Sequence, residues 1–124
     1  MPVFNSAVTL ERLNALSANT MVAHLGIEYT RVGDDFLEAR MPIDHRTHQP
    51  LGLLHGGASV TLAETLGSVA ATCCVNTAVQ YCVGLEINAN HIKSVREGFV
   101  IGTARPVHIG KKTQVWEIRI VNEQ

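Results

Sequence analysis

The sequence predicts an α+β domain in which one long helix packs against an antiparallel sheet. The stretch from Gly56 to about Val75 is rich in small residues and predicts a single long helix. The β-rich segments on either side of it are separated by polar turns rather than by helices, which favours antiparallel pairing. The predicted order is short helix, hairpin, long helix and meander. This order lacks the βαβ alternation of a doubly wound parallel sheet.

Length and composition indicate a single domain, residues 1–124, that associates with copies of itself. The chain has 124 residues, of which 46% are hydrophobic, enough for one core. Only 17% are charged, compared with roughly 25% in an average soluble domain. A charge content this low favours a homo-oligomer, a dimer or a dimer of dimers, in which part of the surface is covered.

Charge and targeting signals narrow the class of protein. The net charge is -1 and the pI about 6.6, so no general attraction to nucleic acid is expected. The N-terminus carries no basic region followed by an apolar run, and no apolar stretch could span a bilayer, so we expect a cytoplasmic protein without a membrane partner. Cys73, Cys74 and Cys82 form no C-x-x-C motif, which predicts reduced thiols.

The remaining elements follow from local patterns. Apolar spacing behind a capping Thr9 predicts a short amphipathic helix to Ser17, and a second short turn precedes the hairpin. Eleven residues with no sustained period then form a loop that leads into the long helix. The predicted turn, hairpin strands, loop and later β-segments are Met21–His24, Gly26–Val32, Phe36–Ile43, Asp44–Leu54, Gln80–Ile92, Gly98–Ile109 and Lys112–Val121.

Glu64 is the first candidate site residue because it is the only formal charge between Gly56 and Gln80. Removing a carboxylate from water costs several kcal/mol unless it is paired or hydrogen-bonded. A structural alternative is a carboxylate held by Thr61 or Ser68 on the same polar stripe of the helix. Such a hydrogen bond does not exclude catalysis.

The helix start is the second candidate. The first N–H groups of a helix lack internal acceptors and can bind an oxyanion or polarise a carbonyl. Gly56 and Gly57 leave this start unshielded, and His55 could orient the loop or donate a second hydrogen bond. The alternative is a plain Gly-Gly turn with a capping histidine. Glu64 lies eight residues further on, about 12 Å along the axis, so the simplest complete site combines the helix start of one chain with Glu64 of another.

Other candidates are weaker. His45 and His48 have a His-x-x-His spacing but no further ligand at zinc-site spacing, so no metal is expected. Ser59 and Ser68 lack the context of a serine nucleophile. Cations around His91 and beyond could bind a phosphate, although solvated strand ends explain them more simply.

Several motifs together resemble the hotdog-fold acyl-CoA thioesterases of the phenylacetate-degradation type. The closest likeness is to the branch with the dihydroxynaphthoyl-CoA hydrolase of menaquinone biosynthesis and the proofreading thioesterase of enterobactin synthesis. The motifs that carry the resemblance are Leu37–Pro42, Gln49–Gly57, Leu62–Glu64, Val83–His91 and Gln114–Trp116.

This resemblance implies a long helix wrapped by an antiparallel sheet, and dimers joined through the strand around Leu85 to Asn90. It implies Glu64 as general base or nucleophile and Gly56 N–H as the donor to the thioester oxygen. It also implies that His55 and Gln49 orient the thioester and that Ser68 places water. The CoA portion of the substrate is then expected near His91, Lys93, Arg96 and Lys111.

In one respect the sequence departs from the family. Members continue past the position of Val121 to one more strand that pairs inside the sheet, so the final strand is expected to be missing here. The resemblance predicts hydrolysis of an acyl-CoA, with an aromatic acyl group, or of an acyl carrier protein thioester, without a separate cofactor or metal. The alternatives are a hotdog dehydratase or hydratase and a non-catalytic acyl-CoA binding protein.

Overall fold

A computed structural model describes residues 2–124, and its centre is a four-stranded antiparallel sheet in the order β1-β2-β3-β4. The strands are β1 (Glu28–Val32), β2 (Leu37–Ile43), β3 (Gly98–Ile109) and β4 (Gln114–Asn122). Each strand pairs with the next along the chain, so the β1–β2 hairpin and the β3–β4 hairpin join through β2 and β3.

The long helix α3 (Gly56–Thr72) packs on one face of this sheet. Residues alternate along β2, so that Leu37, Ala39, Met41 and Ile43 are buried beneath the helix. Every fourth residue of α3 faces them, and these side chains are Ala58, Leu62, Leu66 and Ala70. Burial of each leucine side chain contributes roughly 2 kcal/mol of hydrophobic free energy, which holds α3 at a fixed position on the sheet.

Gly102 of β3 allows helix and sheet to approach closely. A Cβ at this position would lie 2.7 Å from Leu66 Cδ1 and 3.4 Å from Leu62 Cδ2. Both leucines are fully buried. A larger residue at Gly102 would therefore require Leu66 and Leu62 to repack between α3 and the sheet.

Two short helices cover one end of the core. They are α1 (Leu10–Leu16) and α2 (Met21–His24), each begun by a threonine whose hydroxyl accepts a backbone N–H. Asn14 joins α1 to β1, since its carboxamide accepts from Tyr29 N at 2.8 Å and donates to Tyr29 O at 3.1 Å. The predicted elements upstream of α3 are thus present within one or two residues.

The segment Gln80–Ile92 corrects the sequence prediction, because it forms no strand in the described part of the chain. A strand requires a neighbour for its backbone hydrogen bonds, and the four strands of the sheet pair only with one another. The segment instead extends along α3. The predicted three-stranded meander is therefore the β3–β4 hairpin alone.

Smaller differences concern the element ends. Helix α3 ends at Thr72, before the predicted Val75, and a short turn with Cys73 as C-cap follows it. Strand β4 lies at the edge of the sheet, and within residues 2–124 no strand pairs with its outer side. Helices of sufficient length and apolarity to cross a membrane do not occur between residues 2 and 124.

Candidate active site

His55 caps the start of α3. Its Nδ1 accepts a hydrogen bond from Gly57 N at 2.7 Å, and its carbonyl accepts from Ala58 N and Ser59 N. Because Nδ1 is an acceptor, a neutral His55 ring carries its proton on Nε2. The capping histidine considered from the sequence is therefore present, and its exposed ring still has one N–H donor to offer.

Gly56 offers a backbone donor beside this ring. Gly57 N–H is used by the cap, whereas Gly56 N–H has no acceptor among residues 2–124. The ring of His91 also lies close to Gly56. Its Nε2 is 3.2 Å from the position that a Cβ of Gly56 would occupy. The start of α3 thus combines a free amide at the positive end of the helix dipole with two imidazoles, an arrangement able to hold a carbonyl oxygen.

Thr47 fixes the loop that delivers the chain to this point. Its side chain is 1% exposed, and its hydroxyl donates to Pro42 O at 2.9 Å and accepts from Asp44 N at 3.1 Å. Its carbonyl accepts from His55 N at 2.7 Å. One buried residue therefore ties the end of β2 to the first residue of the candidate site.

Gln49 lies in the same loop with its carboxamide oxygen turned inward. This oxygen accepts hydrogen bonds from Leu51 N and Leu53 N. The carboxamide oxygen is consequently used to shape the loop, and only the NH₂ group remains as a donor. Whether Gln49 orients a thioester stays a prediction.

Glu64 lies on the exposed side of α3, and Ser68 one turn later donates to its Oε2 at 3.0 Å. Of the two hydroxyls proposed from the sequence, Ser68 is thus the partner, since Thr61 donates to Gly57 O at 2.9 Å. Gly84 lies against the same carboxylate and belongs to residues Gln80–Ile92, called here the extended segment. The acid is therefore held in place but remains accessible to water.

The two halves of the site lie apart on one chain. Glu64 and Gly56 are separated by about 12 Å along α3. Two surface depressions, of about 600 Å³ near Asn19–His24 and about 280 Å³ near Val95–Phe99, include neither residue. His55 and Glu64 are both exposed within one chain.

The expected CoA-binding cations are only partly brought together. His91, Lys93 and Arg96 follow one another on an exposed stretch, and Arg96 Nη1 lies 3.4 Å from Leu51 O. Lys111 belongs to the turn after the twelve-residue β3, roughly 35 Å from its start. In one protomer Lys111 cannot join this group, and its role stays a prediction.

The residues set aside in the sequence have structural partners. His48 Nε2 lies 2.8 Å from Arg96 O and so connects the two loops near the helix start. Burial raises the pKa of the Cys73 and Cys74 thiols to about 11, so both stay protonated at neutral pH and are poor nucleophiles. All three cysteines are free.

Sequence reasoning missed Gly84 and Thr47. A lone glycine in a β-rich segment is a known sign of close backbone approach, so Gly84 could have been noticed. Thr47 has no comparable signal, because its importance follows from burial and from hydrogen bonds that only the folded loop creates.

Comparison with known proteins identifies the family of the chain. The family model described as the thioesterase superfamily matches residues 51–124. A Vibrio cholerae protein named as a candidate esterase is 59% identical over 124 residues, which cover 100% of this chain and 82% of that protein. The proofreading thioesterase EntH of Cronobacter turicensis is 56% identical, with 98% and 88% covered.

Solved structures of thioesterases also match this chain. A mutant thioesterase from Pseudomonas aeruginosa superposes with a TM-score of 0.94 at 50% identity, covering 98% of this chain and 87% of that one. The resemblance inferred from the sequence motifs is confirmed, as is the hotdog fold with its long helix on an antiparallel sheet. The chain therefore belongs to the thioesterase superfamily and is a thioester hydrolase.

Proposed function

We propose that the protein is a homo-oligomeric hydrolase of acyl-CoA or acyl carrier protein thioesters whose site is shared between two protomers. The helix start of one chain holds the thioester oxygen, and Glu64 of a second chain acts on the carbonyl carbon. The observation that carries the proposal is the free Gly56 N–H, which lies about 12 Å from the only carboxylate of the same helix.

The chemistry requires no group beyond these residues and water. As general base, Glu64 takes a proton from water while the oxygen forms a bond to the carbonyl carbon. The electron pair of the C=O bond moves to the oxygen, where Gly56 N–H stabilises the charge. Collapse breaks the C–S bond, and the thiolate receives the proton from Glu64, giving an acid and a free thiol.

In a second route of the same proposal, Glu64 acts as the nucleophile. Glu64 attacks the carbonyl carbon, the thiolate leaves, and water hydrolyses the resulting anhydride. A single turnover in ¹⁸O-labelled water detects an anhydride that water opens at the Glu64 carbonyl, because the label then enters the Glu64 carboxylate. Label found only in the product acid fits both the general base and water attack at the acyl carbon of the anhydride.

The outer face of the extended segment supports the association of two chains. Between residues 81 and 87 its odd-numbered side chains are apolar and exposed, namely Tyr81, Val83, Leu85 and Ile87, with Leu85 at 90% and Val83 at 75%. Its backbone is also not used by any strand of residues 2–124. An exposed apolar row on an unpaired extended segment is typical of a surface that another chain covers.

Complementation tests the shared site. Glu64→Ala alone should remove most thiol release from acyl-CoA, and His55→Ala should reduce it. If each site uses both chains, co-refolding the two variants should restore about a quarter of wild-type activity, since half of the dimers are mixed and each has one intact site. No recovery on mixing would contradict a shared site, and full activity of Glu64→Ala would contradict the role of the carboxylate.

The acyl group is tested separately. We propose an aromatic acyl group, supported only by the resemblance of the motifs, and His91, Lys93 and Arg96 as contacts of the CoA nucleotide. A panel of aromatic and aliphatic acyl-CoAs, followed by thiol release, measures this. Preference for short aliphatic chains would overturn the aromatic assignment. Enoyl product without thiol would indicate a dehydratase, and saturable binding without product would indicate a binding protein.

A further inference from the structure

We propose that Gly84 is a positioning residue that sets the orientation of the Glu64 carboxylate. The proposal rests on the proposed catalytic role of Glu64 and assigns a function to the contact between Gly84 and the Glu64 carboxylate. It concerns a contact between the extended segment and α3 within one chain.

The contact leaves no room for a side chain. A Cβ built on Gly84 would overlap Glu64 Oε2 and would lie 3.0 Å from Cδ and 3.2 Å from Oε1. All three atoms belong to the carboxylate group of Glu64, and they are the three heavy atoms nearest to that Cβ position. The carboxylate therefore occupies the space that a side chain at Gly84 would enter first.

Backbone conformation does not explain the glycine. Among the described residues, the glycines with positive φ are Gly26, Gly52 and Gly98. Gly84 is not one of them, so alanine can adopt its backbone angles without strain. The residue is also exposed, so it fills no core. Space for Glu64 is the remaining requirement.

The same oxygen that Gly84 contacts accepts the Ser68 hydrogen bond. Oε2 receives the hydroxyl at 3.0 Å, and a methyl group at Gly84 would displace this oxygen first. Two residues earlier, Cys82 N lies 3.4 Å from Thr72 Oγ1, a contact that links the segment to α3. Glycine therefore allows the backbone to limit the carboxylate to the rotamer that Ser68 stabilises.

Gly84→Ala tests this assignment. We expect kcat for thioester hydrolysis to fall by about 100-fold, as for a misplaced catalytic group, while KM changes less than about twofold. Gly67→Ala is the matched control, because Gly67 lies on α3, the helix that carries Glu64. A Cβ added at Gly67 would lie 3.6 Å from Ile118 Cδ1 of β4, which is an ordinary van der Waals contact. This control should retain wild-type kcat and KM.

A double-variant cycle adds a readout that a general structural defect would not give. Aspartate at position 64 is shorter by one methylene and leaves room for a methyl group at position 84. In the Glu64→Asp background, Gly84→Ala should therefore reduce kcat by less than threefold. A loss as large as in the wild-type background would overturn the proposal.

The outcomes separate this inference from the proposed function. Activity in Glu64→Ala would refute the catalytic role itself. Inactive Glu64→Ala together with wild-type kcat in Gly84→Ala would overturn the Gly84 assignment alone. If Gly84→Ala fails to fold, recovery of folding with Glu64→Asp supports the steric contact, and continued misfolding of the double variant refutes it.

Discussion

His55 has a structural role and a proposed catalytic role that substitution can separate. Its Nδ1 caps α3 through Gly57 N–H, which leaves Nε2–H of a neutral ring as the proposed donor to substrate. Asparagine is a strong helix cap but has no imidazole. His55→Asn should therefore preserve the helix start and remove the second donor, whereas His55→Ala should remove both.

The size of each effect follows from the structure. Loss of the cap costs about 1 kcal/mol. The unfolding entropy of a 124-residue domain is about 260 cal/mol/K, so this cost corresponds to a Tm lower by about 4 °C. We expect this decrease for His55→Ala and a change below about 2 °C for His55→Asn. Loss of the donor should lower kcat/KM by about 10- to 100-fold in both variants.

Calorimetry and a thiol-release assay measure the two effects on the same preparations. Equal Tm values for His55→Ala and the wild-type protein would show that the cap contributes nothing. Wild-type kcat/KM in His55→Asn would refute the donor role and leave His55 as a cap only. Size-exclusion chromatography at the assay concentration controls for a change of oligomeric state.

Two further predictions concern the loop before α3. Thr47→Val should cost about 2 kcal/mol, or roughly 8 °C in Tm, because Pro42 O and Asp44 N lose a buried partner; Thr47→Ser keeps the hydroxyl and should lose much less, and equal losses would refute the hydrogen-bond explanation. Hydrogen bonds from Arg46 lower the pKa of Asp44 from 3.8 to about 2, so its contribution to stability is present above pH 4 and is lost as the pH falls towards 2. The Tm difference between the wild-type protein and Asp44→Asn should therefore shrink between pH 5 and pH 2, and a difference independent of pH would contradict the ion pair.

Local patterns were sufficient to predict most of the fold. Thr9 caps α1 as its position predicts, and the predicted hairpin partner Phe36–Ile43 is present as β2, Leu37–Ile43. These features depend on side-chain chemistry within a few residues. The end of α3 was predicted three residues too late because Cys73, Cys74 and Val75 are also acceptable in a helix.

The Gln80–Ile92 prediction was wrong for a different reason. The segment has the composition and alternation of a strand, but a strand exists only where a neighbour accepts its hydrogen bonds. Pairing is a tertiary property, and no local pattern contains it. Prediction of the candidate site is limited in the same way. The sequence identifies Glu64 as a lone charge, whereas the contact between Glu64 and Gly84 exists only in the folded chain.

The alternating faces of the extended segment also constrain its register. Cys82 contacts Thr72 of α3 through its backbone N–H and Gly84 lies against Glu64, while the side chains of Val83 and Leu85 are exposed. A shift by a single residue would exchange these faces and place a valine or leucine against the carboxylate of Glu64. It would also remove the apolar row from the outer surface. A slipped segment would thus lose the proposed catalytic geometry and the proposed association together, so the alignment that the proposed assembly requires is also the one that leaves space for the carboxylate of Glu64.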